Sequence, residues 1–124
     1  ANKRWLEEKQ KEEGVKCLAK GVLYKVIKQG EGSGASPSPR SIVTVHYTGR
    51  TINGRKFDSS LGGAPLACRL CDLIEGWIIA LQQMHVGDKW ELYLPADVAY
   101  GKFSQPGIPG GSTLVFEVEL LGVG

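Results

Sequence analysis

Residues 41–60 read SIVTVHYTGRTINGRKFDSS, and the fold class follows from that stretch outward. Over residues 41–48 apolar and polar side chains alternate, placing Val43, Val45 and Tyr47 on one face of a half-buried strand. Asn53-Gly54 then separates residues 50–52 from residues 55–57. A two-residue turn with positive φ at both central positions suits the twist of paired strands, and Asn-Gly is its strongest sequence signal. An antiparallel hairpin is expected here.

Upstream, residues 22–27 (VLYKVI) alternate in the same way and form a strand, set off by a Gly/Ser/Pro-rich loop over residues 30–39. Downstream, a broken stretch over residues 62–71 precedes a helix expected at residues 73–84. Ile74, Trp77, Ile78 and Leu81 recur there at helical spacing, and Asp72 stands where a capping side chain is wanted. Residues 86–89 turn into a strand at 90–94, with Trp90, Leu92 and Leu94 inward. A long Gly/Pro loop over residues 99–112 leads to a last alternating strand at 113–121. The sum is an α+β domain of four or five antiparallel strands, one short helix covering a face of the sheet.

Residues 1–13 (ANKRWLEEKQKEE) favour helix, with Glu7–Lys11 and Glu12–Lys16 as i,i+4 pairs of the favourable order. Trp5 and Leu6 are too little apolar surface to bury a face. The segment is expected to be a solvated helical extension, or the tail of a longer helix. Residues 1–20 are accordingly read as an extension or linker and residues 21–124 as the domain.

Composition closes several routes. The 124 residues carry 15 Lys+Arg against 13 Asp+Glu, a formal charge of +2 with no basic stripe, so nucleic acid is not an expected partner. At 42% hydrophobic and 23% charged the chain is an ordinary globular one, not a disordered one. No apolar run approaches the ~20 residues of a membrane-crossing helix. Cys17, Cys68 and Cys71 cannot all pair within the chain. Cys68 and Cys71 have a spacing that could hold a metal or a redox pair. A metal would want two more ligands, and His46 and His85 are far away in sequence. Neither metal nor cofactor is expected.

No local signature of a nucleophile triad, a phosphate loop or a zinc helix is present. The chain instead carries Tyr47, Phe57, Trp77, Tyr100 and Phe116 where loops begin or end. An aromatic-lined concavity with a few polar groups is the usual form of a small-ligand or peptide pocket. Ordinary core packing would produce the same aromatics.

Order and spacing separate the two. VxVHYTGxxxxGxxFDSS over residues 43–60 is followed by LIEGWxxALxxMxVGD over 73–88, AYG over 99–101 and PGIPxxSTLVFxVELL over 106–121. In this order the blocks resemble the FKBP family of peptidyl-prolyl cis–trans isomerases, from about residue 21 to residue 121. The lead-in over residues 7–32 is similar to the helix-to-domain junction of the bacterial group of macrophage infectivity potentiator and FkpA proteins.

The resemblance implies a half-barrel of five to six antiparallel strands wrapped around one short helix, and isomerisation of X–Pro bonds in unfolded or flexible segments. It implies Trp77 as the pocket floor, Tyr47, Phe57 and Phe116 as walls, and Leu73 and Ile74 beside them. The Ile74 N–H and the Tyr100 hydroxyl would donate to substrate carbonyls, Asp58 would sit at the rim, and Ile108 would close over the ligand. Asp58, Tyr100 and Trp77 are thus the expected catalytic residues. Leu66 stands at the rim where many relatives place an aromatic, and Cys68 and Gln105 are further departures. Implied partners are proline-containing polypeptides and macrolides such as tacrolimus or rapamycin. An upstream helical part would dimerise the full-length protein in the bacterial periplasm or envelope, with the cytoplasm as the other compartment. A non-catalytic peptide-holding module using the same pocket is the second reading.

Overall fold

The computed structural model describes residues 2–30, 36–60, 62–101, 108 and 110–123. A ten-residue inner strand, β3 (Ile42–Thr51), organises the sheet. One edge of β3 pairs with β7 (Leu114–Val123) along nearly its whole length, from Val43↔Val123 to Thr51↔Leu114. The other edge is shared. β5 (Leu66–Arg69) pairs with its first half, Ile42 to Val45, and β4 (Lys56–Ser59) with its second half, Thr48 to Arg50. Beyond β7 lie β6 (Lys89–Leu94), β2 (Leu23–Lys28) and β1 (Val15–Cys17), giving the order β1-β2-β6-β7-β3-β4 with every pairing antiparallel.

The hairpin forms at this place, but with a different turn: it runs from Thr51 to Gly54, and only Gly54, not Asn53, has positive φ. The Gly54 N–H donates to the Thr51 carbonyl at 2.9 Å, the Thr51 N–H to the Arg55 carbonyl at 3.0 Å, and Gly54 has φ +84°. The sheet has seven strands, the additional ones being β1 and β5. With three and four residues they are too short for alternation to reveal. β1 lies within the first twenty residues, so the sheet reaches back into the stretch read as an extension.

The helix α2 (Glu75–Leu81) is shorter than residues 73–84, and Asp72 does not cap it. Asp72 ends a 3-10 turn (Leu70–Asp72), and Ile74 takes the N-cap position with extended backbone and no side-chain cap. Leu73 and Ile74 are therefore held out of the helix. At the other end the Gln83 and Met84 N–H groups bond three residues back, to Ala80 and Leu81, tightening the last turn. Gly76 has a packing reason: a Cβ there would come within 2.6 Å of the Leu94 side chain, so α2 lies directly on β6. Trp77, Ala80, Leu81 and Met84 join Val43, Val45, Leu92, Leu94 and Leu120 in one buried core on the concave face.

The opposite face carries a second, smaller cluster. Leu23 and Tyr93 are cross-strand partners, both buried yet outside the main core. The helix α1 (Asn2–Gln10) lies over Tyr93, with the Trp5 and Tyr93 ring centroids 5.8 Å apart. The Lys9 ammonium sits 5.0 Å from the Trp5 ring and 5.1 Å from the Tyr93 ring, and pairs with Glu12 at 2.7 Å. This corrects the solvated extension: one tryptophan and one lysine stem cover what two apolar residues seemed too few to bury. The i,i+4 pairs do not form. The helix ends at Gln10, and Lys9–Glu12 and Lys11–Glu8 pair at i,i+3 instead.

Candidate active site

A cavity of about 100 Å³ opens on the concave face, where β4 and β5 part from the shared edge of β3. Trp77, in the first turn of α2, and Phe116 of β7 are each only 3% exposed and form its deepest part. Their rings meet at 90° with centroids 5.2 Å apart. Tyr47 stands edge-on to Trp77 at 5.2 Å, and Phe57 of β4 edge-on to Phe116 at 5.6 Å. Edge-to-face rings at these separations attract one another and resist collapse into a flat stack, which keeps the space between them open. Gly49 makes the arrangement possible, because a Cβ there would come within 2.6 Å of the Phe57 ring and 2.7 Å of the Phe116 ring. Leu66, Leu73 and Ile74 complete the apolar lining.

The polar groups gather on one side. The Tyr47 hydroxyl donates to Asp58 Oδ2 at 2.7 Å, and the Ser59 N–H donates to Asp58 Oδ1 at 2.9 Å. Burial, then the bond to Asp58, pushes the Tyr47 phenol up from 10.0 to about 12. Burial, then the Asp58 charge, also raises the Tyr100 phenol. Both hydroxyls therefore keep their protons at neutral pH and serve as donors. The Tyr100 hydroxyl makes no hydrogen bond among the described residues. Trp77 Nε1 is likewise buried without a partner among them. A buried donor left unpaired costs about 1–3 kcal/mol, a cost removed by an acceptor that reaches it.

Residues 34–121 match the family model for FKBP-type peptidyl-prolyl cis-trans isomerases. The chain belongs to that family. It is 49% identical over 120 residues to an FKBP-type 22 kDa peptidyl-prolyl cis-trans isomerase of Escherichia coli, covering 95% of this chain and 57% of that protein. An outer membrane protein MIP of Legionella longbeachae is 42% identical over 112 residues, covering 89% of this chain and 47% of that protein. The crystal structure of FkpA from Escherichia coli superposes with a TM-score of 0.92 at 43% identity, over 98% of this chain and 57% of that one. The chain spans about half the length of the curated relatives it matches.

Nine residues singled out in the sequence surround the cavity of this FKBP domain: Tyr47, Phe57, Asp58, Leu66, Leu73, Ile74, Trp77, Tyr100 and Phe116. Ile108 is not among the described lining residues. Ile108 is packed into the core at 5% exposure, and its neighbours at 102–107 and 109, Gln105 included, fall outside the described residues. All three cysteines are free, with Cys17 and Cys71 exposed. Cys68 is half-buried, and burial, then the Asp72 charge, raises its thiol. No group of three metal-ligating side chains occurs among the described residues.

Sequence reasoning passed over Ser59 and Ser60. The Ser60 hydroxyl accepts the Tyr47 N–H at 2.8 Å, the Ser60 N–H donates to the Tyr47 carbonyl at 2.9 Å, and the Ser59 hydroxyl donates to the same carbonyl at 3.2 Å. The visible signal was the pair of short hydroxyl side chains closing β4, and nothing local says that Tyr47 is what they hold.

Proposed function

We propose that this domain catalyses cis–trans isomerisation of X–Pro bonds in unfolded or flexible polypeptide segments. The observation that carries the reading is the aromatic-walled cavity with its donors and its carboxylate on one side. The cavity, about 100 Å³ and open at its mouth, is of the order of a single five-membered ring.

Rotation about the peptide bond costs ~18–20 kcal/mol because twisting destroys amide resonance. For X–Pro the two end states are nearly balanced, so only the barrier needs lowering and no bond is broken. The planar amide is the more charge-separated form. An apolar pocket disfavours it relative to the twisted state, while donors that hold the flanking carbonyls confine rotation to one bond. In this reading Trp77 supports the proline ring and Tyr47, Phe57 and Phe116 enclose it. The Tyr100 hydroxyl and the Ile74 N–H hold carbonyls on either side, the latter because N–H groups at a helix start have no intrahelical partner. Asp58 acts at the rim as the charged group nearest the turning amide. Removing ~5 kcal/mol of barrier corresponds to roughly three to four orders of magnitude in rate.

The substrate would be a proline-containing polypeptide, and tacrolimus or rapamycin would compete for the same walls. Residues 21–124 are the proposed isomerase domain and residues 1–20 its lead-in, continuing upstream into a helical part that dimerises the longer protein. An envelope location is supported by the name of the Legionella relative, and no helix among the described residues is long and apolar enough to cross a membrane.

A holding-only reading draws on one feature: both Asp58 oxygens are already engaged, by Tyr47 and by Ser59. Two-dimensional NMR exchange on a short X–Pro peptide separates the two. Catalysis predicts accelerated exchange with the wild-type domain and slower exchange with folded Asp58→Val and Tyr100→Phe variants. Broadening of the peptide signals without acceleration would leave only holding.

A further inference from the structure

The carboxylate and the phenol at the mouth of the cavity are carried by different strands, and β4, which bears Asp58, is a four-residue edge strand. Its register against β3 slips between Gly49 and Arg50, so the ladder alone holds it weakly. Three bonds tie the Tyr47 backbone to the end of β4: its carbonyl accepts the Ser60 N–H and the Ser59 hydroxyl, and its N–H donates to the Ser60 hydroxyl. That oxygen lies 2.8 Å from the Tyr47 nitrogen and 2.9 Å from His46 Nδ1, and the bond from Tyr47 can only run toward Ser60.

The direction of the His46 bond depends on the tautomer, and two acceptors compete for the Ser60 proton. A serine hydroxyl has one proton to give. The alternative acceptor, the Tyr47 carbonyl, is 3.5 Å away and already receives the Ser60 N–H and the Ser59 hydroxyl. The shorter contact, 2.9 Å against 3.5 Å, favours His46 Nδ1 as the acceptor of the Ser60 proton, the ring then carrying its own proton at Nε2. Successive side chains of a strand point to opposite faces, so His46 stands on the outer face while Tyr47 enters the cavity. His46 lines a small outer groove there with Thr48, Lys89, Glu117 and Glu119, which Tyr47 also borders.

We propose that Ser60 and His46 are positioning residues of the isomerase site: His46 orients the Ser60 hydroxyl, and Ser60 holds the Tyr47 backbone so that its phenol meets Asp58. The proposal rests on the catalytic reading of the cavity. Neither residue touches the cavity itself. They act through Tyr47, and small displacements of such groups cost rate out of proportion to stability.

The experiment uses the whole chain with Ser60→Ala, Ser60→Thr and His46→Leu variants, and three readouts. Nitrogen-15 NMR of the wild type should show His46 protonated at Nε2 and bare at Nδ1. In Ser60→Ala the Tyr47 phenol should titrate below the wild-type value of about 12, because its bond to Asp58 loosens. Exchange of an X–Pro peptide should lose roughly tenfold in kcat/KM, mostly in kcat, while circular dichroism stays native. Ser60→Thr keeps the hydroxyl and should restore both values, whereas His46→Leu should move both in the direction of Ser60→Ala. If Ser60→Ala does not fold, His46→Leu carries the test. A proton on Nδ1, or an unshifted Tyr47 titration in the folded variants, overturns the proposal. If the wild type itself fails to accelerate exchange, the catalytic reading falls, and the Tyr47 titration still decides whether Ser60 holds Tyr47.

Discussion

One sheet carries aromatic clusters on both of its faces, and they have opposite fates. On the concave face Tyr47, Trp77, Phe57 and Phe116 meet edge to face around an open cavity, with one indole N–H left over. On the convex face Trp5 and Tyr93 meet across 5.8 Å, and Lys9 lies over both rings. The Tyr93 hydroxyl donates to Glu91, and burial, then that bond, raises its phenol far above the ordinary value. Both clusters thus contain a tyrosine bonded to a carboxylate. What differs is what lies above the rings. The convex cluster has its own helix as a lid, whereas the concave one is completed by nothing else in the described chain. Aromatic content alone does not mark a site; an uncovered aromatic surface with unspent donors does.

The widest gap between the two faces should appear in their tryptophans. Trp77→Ala removes a buried indole from the core and should cost about 3–5 kcal/mol in chemical denaturation, together with the isomerase activity. Next is Asp58→Val, expected to lower kcat/KM by roughly a hundredfold, about 2.7 kcal/mol of transition-state stabilisation, with an unchanged circular dichroism spectrum. A smaller loss, about 1.5–3 kcal/mol of stability, is expected for Trp5→Ala, and peptide-exchange assays should find its activity intact. Loss of activity there would mean that the convex cluster is coupled to the site. Tyr100→Phe deletes one donor and should cost about tenfold in kcat/KM.

The smallest effect concerns pH. Because the folded Tyr47 phenol is held at about 12 against 10.0 when free, its contribution to stability is complete below pH 10 and is lost as pH rises through about 12. Denaturation followed from pH 9 to pH 12 should show that decline in the wild type and a shallower one in Tyr47→Phe.

The place of the hairpin was legible from Asn53-Gly54, though its turn type was not, and the long strands were legible because one face of each is buried. The helix start was not. Asp72 looked like a cap, but the chain spends Leu73 and Ile74 in extended conformation to line the cavity, a tertiary demand that outweighs local preference. The docking of α1 was hidden for a related reason: its cover is a lysine stem over rings, and hydrophobic counting does not register a cation on an aromatic face. At the site, the order of the motifs pointed to nine lining residues. Ser60 was invisible because its partner lies thirteen residues back and meets it only when the strands pair.

The unpaired indole nitrogen of Trp77 also makes the molecule its own instrument. The chain has three tryptophans, Trp5 on the N-terminal helix against Tyr93, Trp77 beneath the cavity and Trp90 in the core. Each gives one indole proton signal, well away from the crowded amide region. An occupant that reaches the cavity floor shifts one of the three and leaves two as internal references, so peptides and small molecules can be ranked by occupancy without labels, coupled enzymes or a chromogenic substrate.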